Sequence, residues 1–138
     1  MSHSYPIQTA LVVDDNLVDL LIAEKQLLRS GLVNRVIVHN SVRSVTSFLS
    51  QSSFNDHPQI MFLDLDMPYQ NGFDFLTILN ETPSLLAENC ILYVLTSSVH
   101  TLDMEKVNSF CRVQRFLQKP MTMALLETVS NDLKRLRS

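Results

Sequence analysis

Short strand-like runs in this 138-residue chain stop on residues that can do chemistry. Residues 10–13 are followed by Asp14 and Asp15, and residues 60–63 by Asp64, with Asp66 two places on. Residues 91–95 are followed by Thr96 and Ser97, and residues 115–118 by Lys119 and Pro120. Carboxylates drawn together repel: two unit charges roughly 4 Å apart at an effective dielectric of ~20 interact by about 4 kcal/mol. Such a cluster needs a cation beyond Lys119. Hard oxygen donors with few side chains and room for water suit Mg²⁺, or Mn²⁺ in its place. A carboxylate such as Asp64 can act as a nucleophile toward phosphorus. The Lys119 ammonium is a compact charge for one phosphoryl oxygen, and the Thr96 hydroxyl can donate a hydrogen bond to another. Phosphoryl transfer needs mainly positioning and charge neutralisation, which this set supplies.

Taken singly, each of these residues has a plainer reading. Asp14 and Asp15 suit the N-terminus of a following helix. Asp64 and Asp66 suit a turn, Thr96 a helix cap, and Lys119 a solvated surface. Phe116, on the last run, suits the core.

The elements between these positions must bring them together. Residues 17–29 carry Leu17, Leu20, Leu21, Leu27 and Leu28 at helical spacing, with Gly31 placed to end the helix. A β-branched run over 36–38 predicts a strand. Ser41 is placed to cap a helix carrying Val42, Val45, Phe48 and Leu49. After a turn over 67–72 comes a helix with Phe73, Leu76 and Leu79, stopped at Thr82-Pro83. Residues 101–110 predict a further helix, and Thr122 is placed to cap a last one through Leu136 with Leu125, Leu126, Val129 and Leu133 on one face. This makes five β-α units. Continuous apolar strands are buried on both faces, so the fold class is α/β: a three-layer α/β/α sandwich around a doubly wound five-stranded parallel sheet. By analogy the strand order is the flavodoxin-like 2-1-3-4-5, in which strands one and three are neighbours and ligands bind beyond the carboxyl ends of the strands.

The runs LVVDDN (11–16), FLDLDMPYQNGFDFL (62–76), LYVLTSS (92–98) and FLQKP (116–120) together resemble the receiver domain of two-component response regulators. The resemblance covers nearly the whole chain in the right order. It implies Asp64 as phosphoacceptor, opening the pattern Asp64-Leu65-Asp66-Met67-Pro68. It implies Asp14 and Asp15 as the acidic pair, with Asp15 favoured as the direct Mg²⁺ ligand and Asp14 acting through water. Asp66 would offer its backbone carbonyl to the metal, and its own carboxylate stands at a position that influences dephosphorylation in the family. By the same resemblance Thr96 would be the switch hydroxyl, Phe116 the switch aromatic, and Lys119 the lysine before what is often a cis proline bond. A sensor histidine kinase or a phosphotransfer protein would be the donor. The face of helix four, strand five and helix five would answer to a downstream protein. The chain departs from the family at Ser97, commonly a smaller residue, and at 110–115, which lack the usual small and glycine residues.

Composition narrows the alternatives. Hydrophobic residues make up 46% and charged residues 18%, a globular balance, and the net charge of −3 argues against a general nucleic-acid surface. A single receiver domain over 1–138, with its core about 8–136, leaves no room for a DNA-binding output domain; a monomer or weak homodimer is expected. No apolar run approaches the roughly 18 residues of a membrane helix, and residues 1–9 lack the regions of a signal peptide, so the default location is cytoplasmic. Near absence of glycine (2 residues) removes a glycine-rich phosphate loop. Cys90 and Cys111 read as buried or half-buried thiols, with a redox pair as the rival. The methionines read as core filler. His3, His39, His57 and His100 read as surface or loop residues, and Lys134, Arg135 and Arg137 as a solvated helix end. Three rivals remain. Asp64-Leu65-Asp66 matches the nucleophile and acid/base pair of haloacid-dehalogenase-like phosphatases, though on the third strand of a short chain. A flavodoxin-like flavin binder conflicts with Asp14-Asp15-Asn16 in the first β-α turn. A receiver fold could also serve as an interaction module without phosphorylation.

Overall fold

The computed structural model describes residues 5–52, 56–67 and 69–137; His3 and Pro68 lie outside them. Among the described residues five strands alternate with five α-helices. They are β1 (Ile7–Val13), α1 (Leu17–Arg29), β2 (Val33–His39), α2 (Val42–Gln51), β3 (Ile60–Asp64), α3 (Gly72–Glu81), β4 (Ile91–Thr96), α4 (Met104–Asn108), β5 (Val113–Gln118) and α5 (Met123–Leu136). The strands form one parallel sheet in the order β2-β1-β3-β4-β5, as expected. No described helix is long and apolar enough to cross a membrane.

Alternation along the strands divides the core in two. Ala10, Val12, Ile60, Phe62, Tyr93 and Leu95 point toward α1 and α5, meeting Leu20, Ala23, Leu27, Leu126 and Val129. Leu11, Val13, Met61, Leu63, Leu92 and Val94 point the other way, onto Val45 and Leu49 of α2 and Phe75, Leu76 and Leu79 of α3. Each helix starts on a residue whose side chain accepts from the first turn: Asn16, Ser41, Asn71, Asp103 and Thr122.

Several boundaries differ from the sequence reading. The predicted helix over 101–110 is only α4, Met104–Asn108, preceded by a 3₁₀ turn at Val99–Thr101. Asp103 starts it by accepting from Glu105 N and Lys106 N, so the chain before it stays extended at Leu102. β1, β2 and β5 begin two or three residues earlier than the runs read from the sequence, because backbone pairing reaches back through Thr9 and Arg35 to Ile7 and Val33, and from Leu92 to Val113. The segment before β5 forms without small residues: Val113 N donates to Phe110 O at 3.1 Å, and the Arg112 guanidinium donates to the carbonyls of Ala87 and Cys90. Cys90 is buried but Cys111 is exposed. Met61, Met67 and Met121 fill the core, whereas Met104 and Met123 face solvent. Leu17, Leu21 and Leu28 of α1 are also exposed; Leu20, Ala23 and Leu27 form its inward face. His39 is half-buried against Ser44 Oγ (2.6 Å) and the Phe48 ring, and burial lowers its pKa.

Candidate functional site

Register alone brings the strand-end residues level. Val13 pairs with Leu63, so Asp14 and Asp64 follow side by side. Asp64 pairs with Leu95 and Thr96 with Gln118, so Thr96 and Lys119 lie one step further along their strands. Side-chain alternation then sorts them. Asp14, Asp64 and Lys119 share the parity of Val12, Phe62 and Leu117, on the α1/α5 side; Thr96 shares that of Val94, on the α2/α3 side.

The contacts follow that sorting. Lys119 Nζ lies 2.7 Å from Asp14 Oδ2 and 3.0 Å from Asp64 Oδ1. It also lies 3.1 Å from Asp19 Oδ2, on the first turn of α1. Asp19 was missed in the sequence because it stands inside a helix; its only signal is its place one turn after the acidic pair. Asp14 Oδ1 accepts from Asn16 N at 2.9 Å, and Asp64 Oδ1 accepts from Asp66 N at 3.1 Å. Capping of α1 is done by Asn16, which leaves the Asp14-Asp15 pair without the helix-cap role that it could have had. The Lys119-Pro120 bond is cis.

One carboxylate oxygen each from Asp14, Asp15 and Asp64 lie within 4.8 Å of one another. Asp14 and Asp64 are buried and Asp15 is exposed. Hard oxygen donors on one open side fit a divalent cation that keeps some of its water, as Mg²⁺ does. Burial pushes the Asp64 carboxyl up to about 6, with Asp14 adding to the rise and Lys119 opposing it. Burial also disfavours the Lys119 charge, but hydrogen bonds to Asp14 and Asp64 outweigh it and hold the ammonium above its ordinary pKa.

Thr96 is buried, and its hydroxyl donates to Asp66 Oδ2 at 3.1 Å. Phe116 is half-buried, 6.5 Å from the Phe73 ring, and lines a 540 Å³ groove with Val107 of α4, Leu117 of β5 and Val99 of the preceding 3₁₀ turn. Gly72 is a second position the sequence reading left unremarked. A Cβ there would sit 2.8 Å from Asp64 O and 2.9 Å from Leu65 Cα, so only glycine lets α3 start this close to the end of β3.

The model of the response regulator receiver domain matches residues 10–130. The chain belongs to that family. It is 30% identical over 125 residues to the two-component response regulator 24 of Arabidopsis thaliana, across 91% of this chain and 83% of the relative. A response regulator receiver protein from Dyadobacter fermentans superposes with a TM-score of 0.76 at 29% identity, covering 91% of this chain and 97% of that one. A two-component response regulator from Cytophaga hutchinsonii matches in fold with a TM-score of 0.81 at 21% identity, covering 94% and 98%. This receiver domain therefore acts in two-component signalling, in a family of phosphoacceptor switches.

Proposed function

We propose that Asp64 accepts a phosphoryl group from a phosphohistidine of a sensor histidine kinase or phosphotransfer protein. A carboxylate oxygen of Asp64 forms the new bond to phosphorus while the donor's P–N bond breaks, its electron pair returning to the imidazole nitrogen, which takes up a proton. The single observation carrying this is the convergence of the Asp14, Asp15 and Asp64 oxygens, with Lys119 on Asp64. Exposed Asp15 is the direct ligand for Mg²⁺ in this reading. Asp14, whose two oxygens serve Asn16 and Lys119, acts through water, and the Asp66 carbonyl completes the set. Bound Mg²⁺ would neutralise charge on the transferring oxygens. Lys119, tethered by three carboxylates, is positioned to take one phosphoryl oxygen, and Thr96 to take another. Phe116 then moves inward, and the α4–β5–α5 face changes its affinity for a downstream protein. The whole chain works in this proposal as one cytoplasmic receiver unit.

The haloacid-dehalogenase-like alternative needs Asp66 as an acid/base partner. The Asp66 carboxylate is instead occupied by Thr96 and Ser97. Incubation with acetyl phosphate and Mg²⁺, followed by intact mass measurement, tests the proposal. An adduct of about 80 Da, absent with chelator and in Asp64→Asn, is expected. An adduct that survives in Asp64→Asn, or none in the wild type, would sink it.

A further inference from the structure

Asp66 makes contacts that neither metal binding nor acceptance of phosphorus requires. Its Oδ2 accepts from the Thr96 hydroxyl at 3.1 Å, from Ser97 N at 2.8 Å and from the Ser97 hydroxyl at 3.1 Å. Its own N–H donates to Asp64 Oδ1. One exposed carboxylate thus ties the end of β4 to the loop that leaves the phosphoacceptor.

We propose that the Asp66 carboxylate is a resident competitor for the β4 donors, a positioning residue that holds Thr96 and Ser97 in the unphosphorylated protein and opposes their transfer to a phosphoryl group on Asp64. The inference rests on the reading of Asp64 as acceptor. The Thr96 hydroxyl and the Ser97 N–H each have one proton to give, so neither serves two anions fully. A phosphoryl group brings a charge of about −1.5 to −2 and three acceptor oxygens next to Asp66. Repulsion and competition then act together to displace the Asp66 carboxylate. Space for it exists: Asp66 and Thr96 line a 390 Å³ cavity shared with Asp103 and with Lys106, whose ammonium lies 4.2 Å over the Phe73 ring. Besides Asp66, the Thr96 hydroxyl reaches the Ser98 carbonyl, at 3.5 Å. Ser97, where smaller residues are common in the family, adds a second donor to this tie.

The test uses beryllofluoride with Mg²⁺ as a phosphoryl mimic on the full chain, read by calorimetry and by the amide NMR signal of Ser97. Asp66→Ala should bind the mimic about tenfold more tightly, the order expected for losing a charge-assisted hydrogen bond. Asp66→Asn, which keeps an acceptor oxygen, should fall between Asp66→Ala and wild type. Asp103→Asn removes a charge from the same cavity while keeping a residue able to cap α4, and should bind as wild type does. In the unliganded protein the Ser97 amide signal should move upfield in Asp66→Ala. Equal tightening in Asp103→Asn would reduce the effect to bulk charge and overturn the proposal. So would unchanged affinity or an unmoved Ser97 signal in Asp66→Ala. A wild type that binds no beryllofluoride would instead overturn the acceptor role of Asp64, and the competition with it.

Discussion

Neutralising Asp64, the proposed phosphoacceptor, should stabilise the metal-free protein. Asp64 is buried beside Asp14, and the fold holds its carboxyl at about 6 against 3.8 for a freely solvated aspartate. That gap corresponds to about 3 kcal/mol spent at neutral pH on keeping the carboxylate ionised. The sign follows from proton uptake. Between pH 3.8 and about 6 the folded form binds the extra proton, so stability falls as pH rises through this window and stays low above it. Asp64→Asn removes the charge but keeps an oxygen for the Asp66 N–H; Lys119 retains Asp14 and Asp19. A net gain of about 2 kcal/mol at pH 7, or about 8 °C in Tm for a domain of this size, is expected. Urea unfolding with chelator at pH 7 and pH 4 measures it. The gain should vanish at pH 4, and added Mg²⁺ should raise the stability of the wild type but not of Asp64→Asn. An Asn variant less stable than wild type at pH 7, or equally favoured at both pH values, would refute the reasoning.

Asp132 carries the opposite sign. Its buried carboxylate accepts from Tyr93 Oη (2.8 Å), Arg115 Nε (2.7 Å) and Nη2 (2.9 Å) and Arg135 Nη2 (3.2 Å), and the Arg115 hydrogen bonds above all hold it at about 2. Asp132→Ala should cost about 3 kcal/mol in urea unfolding, and in the wild type about 2 kcal/mol should be lost as pH falls from 3.8 toward 2. Gly72→Ala should force the start of α3 off the Asp64 and Leu65 backbone, costing roughly 2 kcal/mol by the same assay and slowing acetyl-phosphate labelling at fixed Mg²⁺.

Much of the fold and site is visible in the sequence because the inner strands are unbroken apolar runs. A polar residue after such a run must lie at the strand end, and the parallel order makes those ends neighbours. Asp14, Asp64 and Thr96 are found this way; Lys119 follows the edge strand β5, which carries Arg115 and Gln118, and stands out through the run FLQKP. The edges are harder to read. β2 is fully buried only at Val33, so only residues 36–38 stand out. α4 starts late because Asp103 caps it and ends at Asn108, where Ser109 N and Phe110 N turn back to the Lys106 and Val107 carbonyls, whereas periodicity alone runs from 101 to 110. Asp19 and Asp132 lie within helices, and spacing does not reveal that they pair with Lys119 and Tyr93, 100 and 39 residues away. Asp132 has a signal of its own: it is an acid three places after Val129 on an otherwise apolar face. The tie between Asp66 and Ser97 depends on loop conformation, which spacing does not encode.

The central claim is tested most directly by locating the acyl phosphate. After labelling with acetyl phosphate and Mg²⁺, borohydride reduces an aspartyl phosphate to the alcohol, and peptide sequencing reads its position. Reduction at Asp64 alone is predicted. Reduction at Asp14, Asp15 or Asp66, or phosphate found on a histidine or hydroxyl side chain, would contradict the account.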